Sequence, residues 1–194
     1  KAATVVNGVI YIGTEKDGLF STALANPTTF ESMSPNGPVR NYIFRVKKAP
    51  DYLWAVYGDY TRLYNPYALD EFGISKYSKD NGWELIPYND LFQAKSICDI
   101  VINPNNTNQI FATSYFSGLL KIEGDNIELF NNTNTGSNGL ESISTGNPGY
   151  VDIRVNSPAF DKNGNLWVTN VTNTGNYKSI KTLQTNGQWQ SYGI

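Results

Sequence analysis

The sequence predicts an all-β chain, a β-propeller portion of about four blades of four-stranded antiparallel sheet. Three observations carry this. Aromatic residues make up 13% of the chain and charged residues only 16%, with 17 Gly, a composition of strands and tight turns. Short apolar runs bounded by Gly, Asn and Pro recur throughout, and no stretch shows the apolar period of a helix. The chain also repeats itself. Anchored on the second strand of each unit, at Ile10, Leu53, Ile110 and Leu166, the spacings are about 43, 57 and 56 residues, in or near the range of propeller blades carrying loop insertions. A β-sandwich with coincidental spacing is the alternative. It does not account for Gly and Trp recurring at equivalent strands.

The fourth unit is the most legible. In FDKNGNLWVTN, residues 160–170, an apolar strand ends at Phe160, Asp161–Gly164 turns the chain, and Leu166 opens the next strand. Asn-Gly between apolar runs marks a hairpin, with both central residues expected at positive φ. Residues 151–155 supply the first strand, 179–183 the third and 188–192 the fourth. In the opening unit, strands are expected at 9–14, at 19–22 and ending at 29–33, with a turn at 15–18 and a Pro-rich loop at 34–38. The second unit has strands at 42–46, 52–57, 73–77 and 83–86, and the third at 97–102, 109–114, 118–122 and 126–130. A turn-rich connector spans 103–108 and a polar loop 131–149. Gly18, Gly73 and Gly118 each enter a third strand, while Asn81-Gly82-Trp83 and Asn186-Gly187-Gln188-Trp189 open fourth strands. The blade boundaries that follow are about 1–38, 39–93, 94–148 and 149–194.

Composition also excludes functions. Net charge is -2, which argues against an electrostatic grip on nucleic acid or anionic lipid. No apolar run approaches the roughly 20 residues needed to span a bilayer. The chain has no histidine, which removes Ser-His and Cys-His nucleophile pairs and most zinc sites. Its one cysteine, Cys98, sits in an apolar strand and reads as a small core residue. No catalytic residue, metal ligand or cofactor is expected. The chain starts at Lys1 with no initiator Met, and is expected to be a fragment of a larger propeller protein. An open arc of blades leaves unpaired faces, so the isolated piece is expected to self-associate.

FDKNGNLWVT resembles the two-component-regulator propeller repeat, and degraded copies stand at NGVIYIGTEKDGLF, at DYLWAVYGDY with FGISKYS, and at NQIFATSYFSGLLKI. Within that superfamily the second and third units are similar to the PorZ-like proteins of the type IX secretion system in Bacteroidetes, through LWAVYGDYTRLYNPYALDEFGISKYS and NPNNTNQIFATSYFSGLLKIEGDNIELFNNTNTG. The resemblance implies a non-enzymatic scaffold, exported to the periplasm or outer-membrane surface. Its role would be to support secretion and surface attachment of cargo through protein partners and an anionic polysaccharide. The other branch with this repeat implies the periplasmic glycan-sensing propeller of a hybrid two-component histidine kinase. A propeller glycosidase or lyase is the reading from a third class.

The candidate binding site is the insertion at 58–72, GDYTRLYNPYALDEF, with Tyr57 before it. Tyr57, Asp59, Tyr60, Arg62, Tyr64 and Tyr67 combine aromatic faces with a charged fork, suited to a carbohydrate or a partner loop. Alternatively the tyrosines cover a blade edge in a self-packed loop. Asp59, Asp70 and Glu71 could suggest a glycosidase carboxylate pair, but solvated loop charges explain them better. Asp161–Asn165 has the look of a calcium loop, yet Thr172 occupies the place of its twelfth-position acid, so a hairpin turn is expected. Asn105-Asn106-Thr107, Asn131-Asn132-Thr133 and Asn170-Val171-Thr172 are sequons expected by chance. The four tryptophans are expected in the inter-blade core.

Overall fold

The structure is a computed structural model describing residues 1–15, 18–33, 36–143, 146, 150–172 and 177–193. Residues 16–17 of the expected turn at 15–18, residues 34–35 of the Pro-rich loop and parts of the 131–149 loop lie outside the described residues. Four four-stranded antiparallel sheets make up the fold, so the chain is an all-β propeller portion.

Two compact units divide it, 1–37 and 38–194. The first holds β1 (Ala2–Val6), β2 (Val9–Gly13), β3 (Leu19–Ala23) and β4 (Glu31–Ser32). Asn7 and Gly8 both take positive φ, 48° and 78°, which lets a two-residue turn join β1 to β2 with Val6 opposite Val9. Every residue of β1 is exposed.

The second unit holds three sheets. They are β5 (Arg45–Lys48) to β8 (Gly82–Ile86), with β6 (Leu53–Val56) and β7 (Ile74–Ser78) between. Next come β9 (Ile97–Asn103), β10 (Asn106–Ser114), β11 (Gly118–Glu123) and β12 (Asn126–Phe130). The last are β13 (Val155–Phe160), β14 (Leu166–Asn170), β15 (Ile180–Leu183) and β16 (Trp189–Tyr192). Each meanders in chain order. The first strands β5 and β13 both lie against β9, the inner position of a propeller blade.

Period-two alternation along the central sheet divides the core. Ile110 and Ala112 of β10 join Leu120 and Ile122 in a cluster with Trp54, Val56 and Ile74 of the preceding sheet. Phe111 and Leu119 point the other way, onto Val155, Leu166 and Val168. One sheet thus serves two cores, because successive strand residues face opposite sides.

The glycines at third-strand entries have a shared steric cause. A Cβ on Gly73 would lie 2.1 Å from the Ile86 carbonyl oxygen, and one on Gly118 2.2 Å from that of Phe130. In both sheets the last carbonyl of the fourth strand occupies the space a side chain would need.

Three expectations are corrected. Residues 151–154 do not form a strand beside β14. The Ile153 N–H donates to the Phe116 carbonyl and the Asp152 carbonyl accepts from Ile143, while the Arg154 carbonyl accepts from the Val171 N–H just past β14 at 3.0 Å. The connector at 103–108 is mostly strand, with Asn106 already in β10. At 161–165 only Gly164 has positive φ (81°). The turn is instead closed by Asp161 N–H to Asn165 O (3.0 Å) and Gly164 N–H to Asp161 O (3.1 Å). Cys98 is buried as expected. Trp54 and Trp167 sit on second strands and Trp83 and Trp189 on fourth strands, and of the four only Trp54 is fully in the core.

Candidate functional site

The 58–72 insertion leaves the sheet between β6 and β7 at the end where β10 turns into β11. Its base is pinned by backbone. Gly58 N–H donates to the Ile97 carbonyl, and Ser96 N–H donates to the Asp70 carbonyl at 2.8 Å. The Asp70 carboxylate accepts from the Asp59 N–H at 3.3 Å and faces Arg40 at 3.7 Å. Burial, with neighbouring Asp59 adding repulsion, pushes the Asp70 carboxyl up. Glu71 is paired with Lys95 at 2.6 Å. Asp70 and Glu71 therefore fasten the loop to the scaffold, through Arg40 and Lys95.

The tyrosines divide by depth. Tyr57 is buried and its hydroxyl donates to Ser75. That is a core role. Tyr60 is the hub of a stack, with its ring 4.6 Å from Tyr115 and 5.9 Å from Tyr64 at an interplanar angle of 20°. Phe44 meets it edge-on at 5.4 Å, and its hydroxyl accepts from Asn156 at 2.8 Å. Tyr115 is buried, and burial pushes its hydroxyl up. Tyr64 is 63% exposed, so the stack ends on a ring face open to solvent. Tyr67 lies in a second cluster, edge-on to Phe116 at 6.3 Å and hydroxyl to hydroxyl with Tyr150.

Arg62 does not supply the expected charged fork. It is exposed and forms no ion pair among the described residues. The guanidinium at this place is Arg154, from the segment leading into β13. It donates from Nε (2.9 Å) and Nη2 (2.8 Å) to Asp152, from Nη1 to the Tyr64 carbonyl at 2.9 Å, and lies 5.7 Å from the Tyr115 ring centre. Asp152 is 2% exposed. The bidentate pair raises the Arg154 pKa and consumes its charge internally. What remains is a cleft of about 590 Å³ lined by Tyr60, Tyr64, Tyr115, Asn156 and Ser157, with Leu63 and Val171 at the rim. It offers aromatic faces, hydroxyls and an amide, and no uncompensated charge. Tyr115, Arg154 and Asn156 belong to other repeats, and sequence spacing carries no signal for a contact made across sheets.

No family model matches the chain, and no curated protein matches it. Solved structures do. PorZ, an essential bacterial surface component of the type IX secretion system of Porphyromonas gingivalis, matches with a TM-score of 0.67 at 22% identity, over 97% of this chain and 25% of PorZ. YCF48 bound to a D1 peptide matches at 0.47 and 12% identity, over 97% of this chain and 50% of that one. The extracellular domain of a hybrid two-component system of B. thetaiotaomicron matches at 0.38 and 12%, over 97% and 27%. The chain thus spans about a quarter of the length of PorZ. What it shares with PorZ is the propeller fold.

Proposed function

We propose that this chain is a propeller segment of an exported, non-enzymatic scaffold working in type IX secretion. In this reading the 58–72 end holds protein partners, with an anionic polysaccharide of the surface on the same scaffold, so that cargo is secreted and attached. The observation that carries it is the exposed aromatic group at that end: Tyr64 closing the Tyr115–Tyr60–Tyr64 stack, and Tyr67 with Tyr150 beside it. Exposed tyrosines on a rigid base are the residue type that anchors protein interfaces. The fold likeness to PorZ supports placing that surface in a secretion assembly.

The test is made in the parent bacterium. Replacing Tyr64 and Tyr67 together by Ala in the intact protein should leave its abundance unchanged and leave cargo behind in the periplasm. Normal surface display of cargo would overturn the reading. A second reading, a periplasmic glycan-sensing propeller of a two-component system, is favoured by the internal use of Arg154, since a charge-free aromatic cleft suits the apolar face of a neutral sugar. In that case the double variant displays cargo normally and loses binding of neutral oligosaccharides measured by calorimetry.

A further inference from the structure

The tyrosine cleft is one-sided in its hydrogen bonding. Its acceptors are spent. Both oxygens of Asp152 hold Arg154, and the Tyr64 carbonyl takes the third guanidinium bond. The Asn156 side-chain oxygen accepts from the Ser157 N–H at 2.8 Å, with the Cys98 thiol directed at it from 3.8 Å. The Asn156 backbone carbonyl accepts from Thr169 Oγ1 at 3.1 Å. The donors of the cleft are not spent. The Tyr60 hydroxyl oxygen accepts from Asn156, which leaves its own O–H to donate. Tyr115 is only 4% exposed. Its hydroxyl has no hydrogen-bond partner among the described residues, yet it is not one of the polar atoms sealed from solvent, and the residue lines the cleft. A buried hydroxyl without an acceptor costs stability unless water or a ligand supplies one.

The apolar part of the cleft is at its mouth, where Leu63 is 85% exposed beside the open ring face of Tyr64. Charge selects neither sign of ligand. The Arg154 guanidinium, 5.7 Å from the Tyr115 ring centre, repels a cation, and its bidentate pairing with Asp152 leaves little for an anion. The ligand that fits is neutral, has flat apolar faces, and accepts hydrogen bonds without donating them. A sugar hydroxyl donates as well as accepts, and its donors would find the acceptors here already taken. Proline-rich backbone matches better. Proline carries a carbonyl and no N–H, and the polyproline II helix makes no internal hydrogen bonds, so every carbonyl is available to a partner.

We propose that this cleft binds a proline-rich segment of a partner protein in the polyproline II conformation. Proline rings lie against Tyr64 and Leu63, and peptide carbonyls accept from the Tyr115 and Tyr60 hydroxyls. Aromatic-lined grooves grip such segments because the helix is already ordered before it binds. The proposal rests on the reading that the 58–72 end holds protein partners, and it names the chemistry of one of them.

The test is a calorimetric titration of the chain with a proline decapeptide, run beside a glycine–serine decapeptide and a neutral glucose hexasaccharide. The proline peptide should saturate the chain and the other two should not. Tyr115→Phe removes one hydroxyl and keeps the ring. It should weaken peptide binding by about three- to tenfold without lowering the urea midpoint, since that hydroxyl has no internal partner to lose. Tyr64→Ala, an exposed change, should weaken binding by about tenfold. A proline peptide that does not bind would overturn the proposal. So would equal affinity for the glycine–serine peptide, saturation by the hexasaccharide alone, or an affinity unchanged in Tyr115→Phe. The secretion reading fails separately. An inert proline peptide, with cargo display still lost in the Tyr64 and Tyr67 double variant, refutes this proposal and leaves that reading standing. Peptide binding with normal cargo display does the reverse.

Discussion

Asp161 does the work of a turn by itself. Its Oδ1 accepts from the backbone of Asn163 and Asn165, both at 2.9 Å, and its Oδ2 accepts from the side chains of Asn165 and Trp167, both at 2.9 Å. The Trp167 and Asn165 side-chain bonds, followed by the backbone ones, lower its pKa from 3.8 to about 2. The folded value lies below the unfolded one, so this contribution is complete above pH 3.8 and is lost as pH falls towards 2. Urea midpoints measured across that window should fall in the parent chain, and fall less steeply in Asp161→Asn. The aspartate was legible in the sequence because D-x-x-G-N-L-W is a local pattern. Its fan of bonds was not, because an Asn-Gly pair reads as a two-residue turn until the side chain before it is seen to take over. Cys98 is the opposite case. Burial pushes its thiol up to about 12, and its Sγ points at the Thr113 carbonyl at 3.6 Å. A thiol reagent should leave the native chain unmodified at neutral pH and label it fully in denaturant. The candidate site was half legible. Tyr60 and Tyr64 lie in one loop and their rings stack, but Arg154 and Tyr115 come from other sheets and replace Arg62 as the organising partners.

Among the elements, the third-strand glycines are the sharpest test of the repeat. Gly118 sits at φ 112° with the Phe130 carbonyl in the position of its Cβ. Gly118→Ala should therefore lower stability by about 2 to 4 kcal/mol, from strain and from displacing the end of β12. Chemical denaturation measures it, and Gly124→Ala, with nothing within 4 Å of its Cβ, isolates the cost of positive φ alone. A second element-scale feature lies between β15 and the loop after β12. Lys181 is fully buried and its ammonium is paired with Glu141. Glu141→Gln strands that charge and should cost about 2 to 4 kcal/mol, less than a fully buried pair because Glu141 keeps some access to water. Lys181→Met, which removes the charge and keeps the stem, should cost clearly less. Sequence pattern could not find this pair, because a lysine in a strand reads as an outward-facing residue. It missed β1 for a related reason. Its residues are all exposed and show no alternation, although Asn7-Gly8 was a turn signal in plain view. Residues 151–154 failed conversely, an alternating run in which Ile153 bonds to Phe116 beside another sheet.

At the scale of the whole chain, stability is unevenly held. Both core clusters lie in residues 38–194, each built from facing sheets and each containing fully buried Ile, Leu and Val. In residues 1–37 the described strands hold Thr22 as their one buried residue, with β1 wholly exposed and β2 half-buried throughout. A lone four-stranded sheet without a buried apolar layer cannot offset the entropy of ordering its backbone. Residues 38–194 expressed alone should therefore unfold cooperatively, with strand content by circular dichroism in proportion to their three sheets. Residues 1–37 expressed alone should show no cooperative transition. The repeat made the sheets countable from sequence, because each copy carries its own turn and glycine signals. It could not reveal this division, since a propeller blade draws its stability from the faces of its neighbours rather than from its own pattern. A cooperative transition in the short piece would mean that its apolar surface is buried by self-association, and the concentration dependence of that transition would show it.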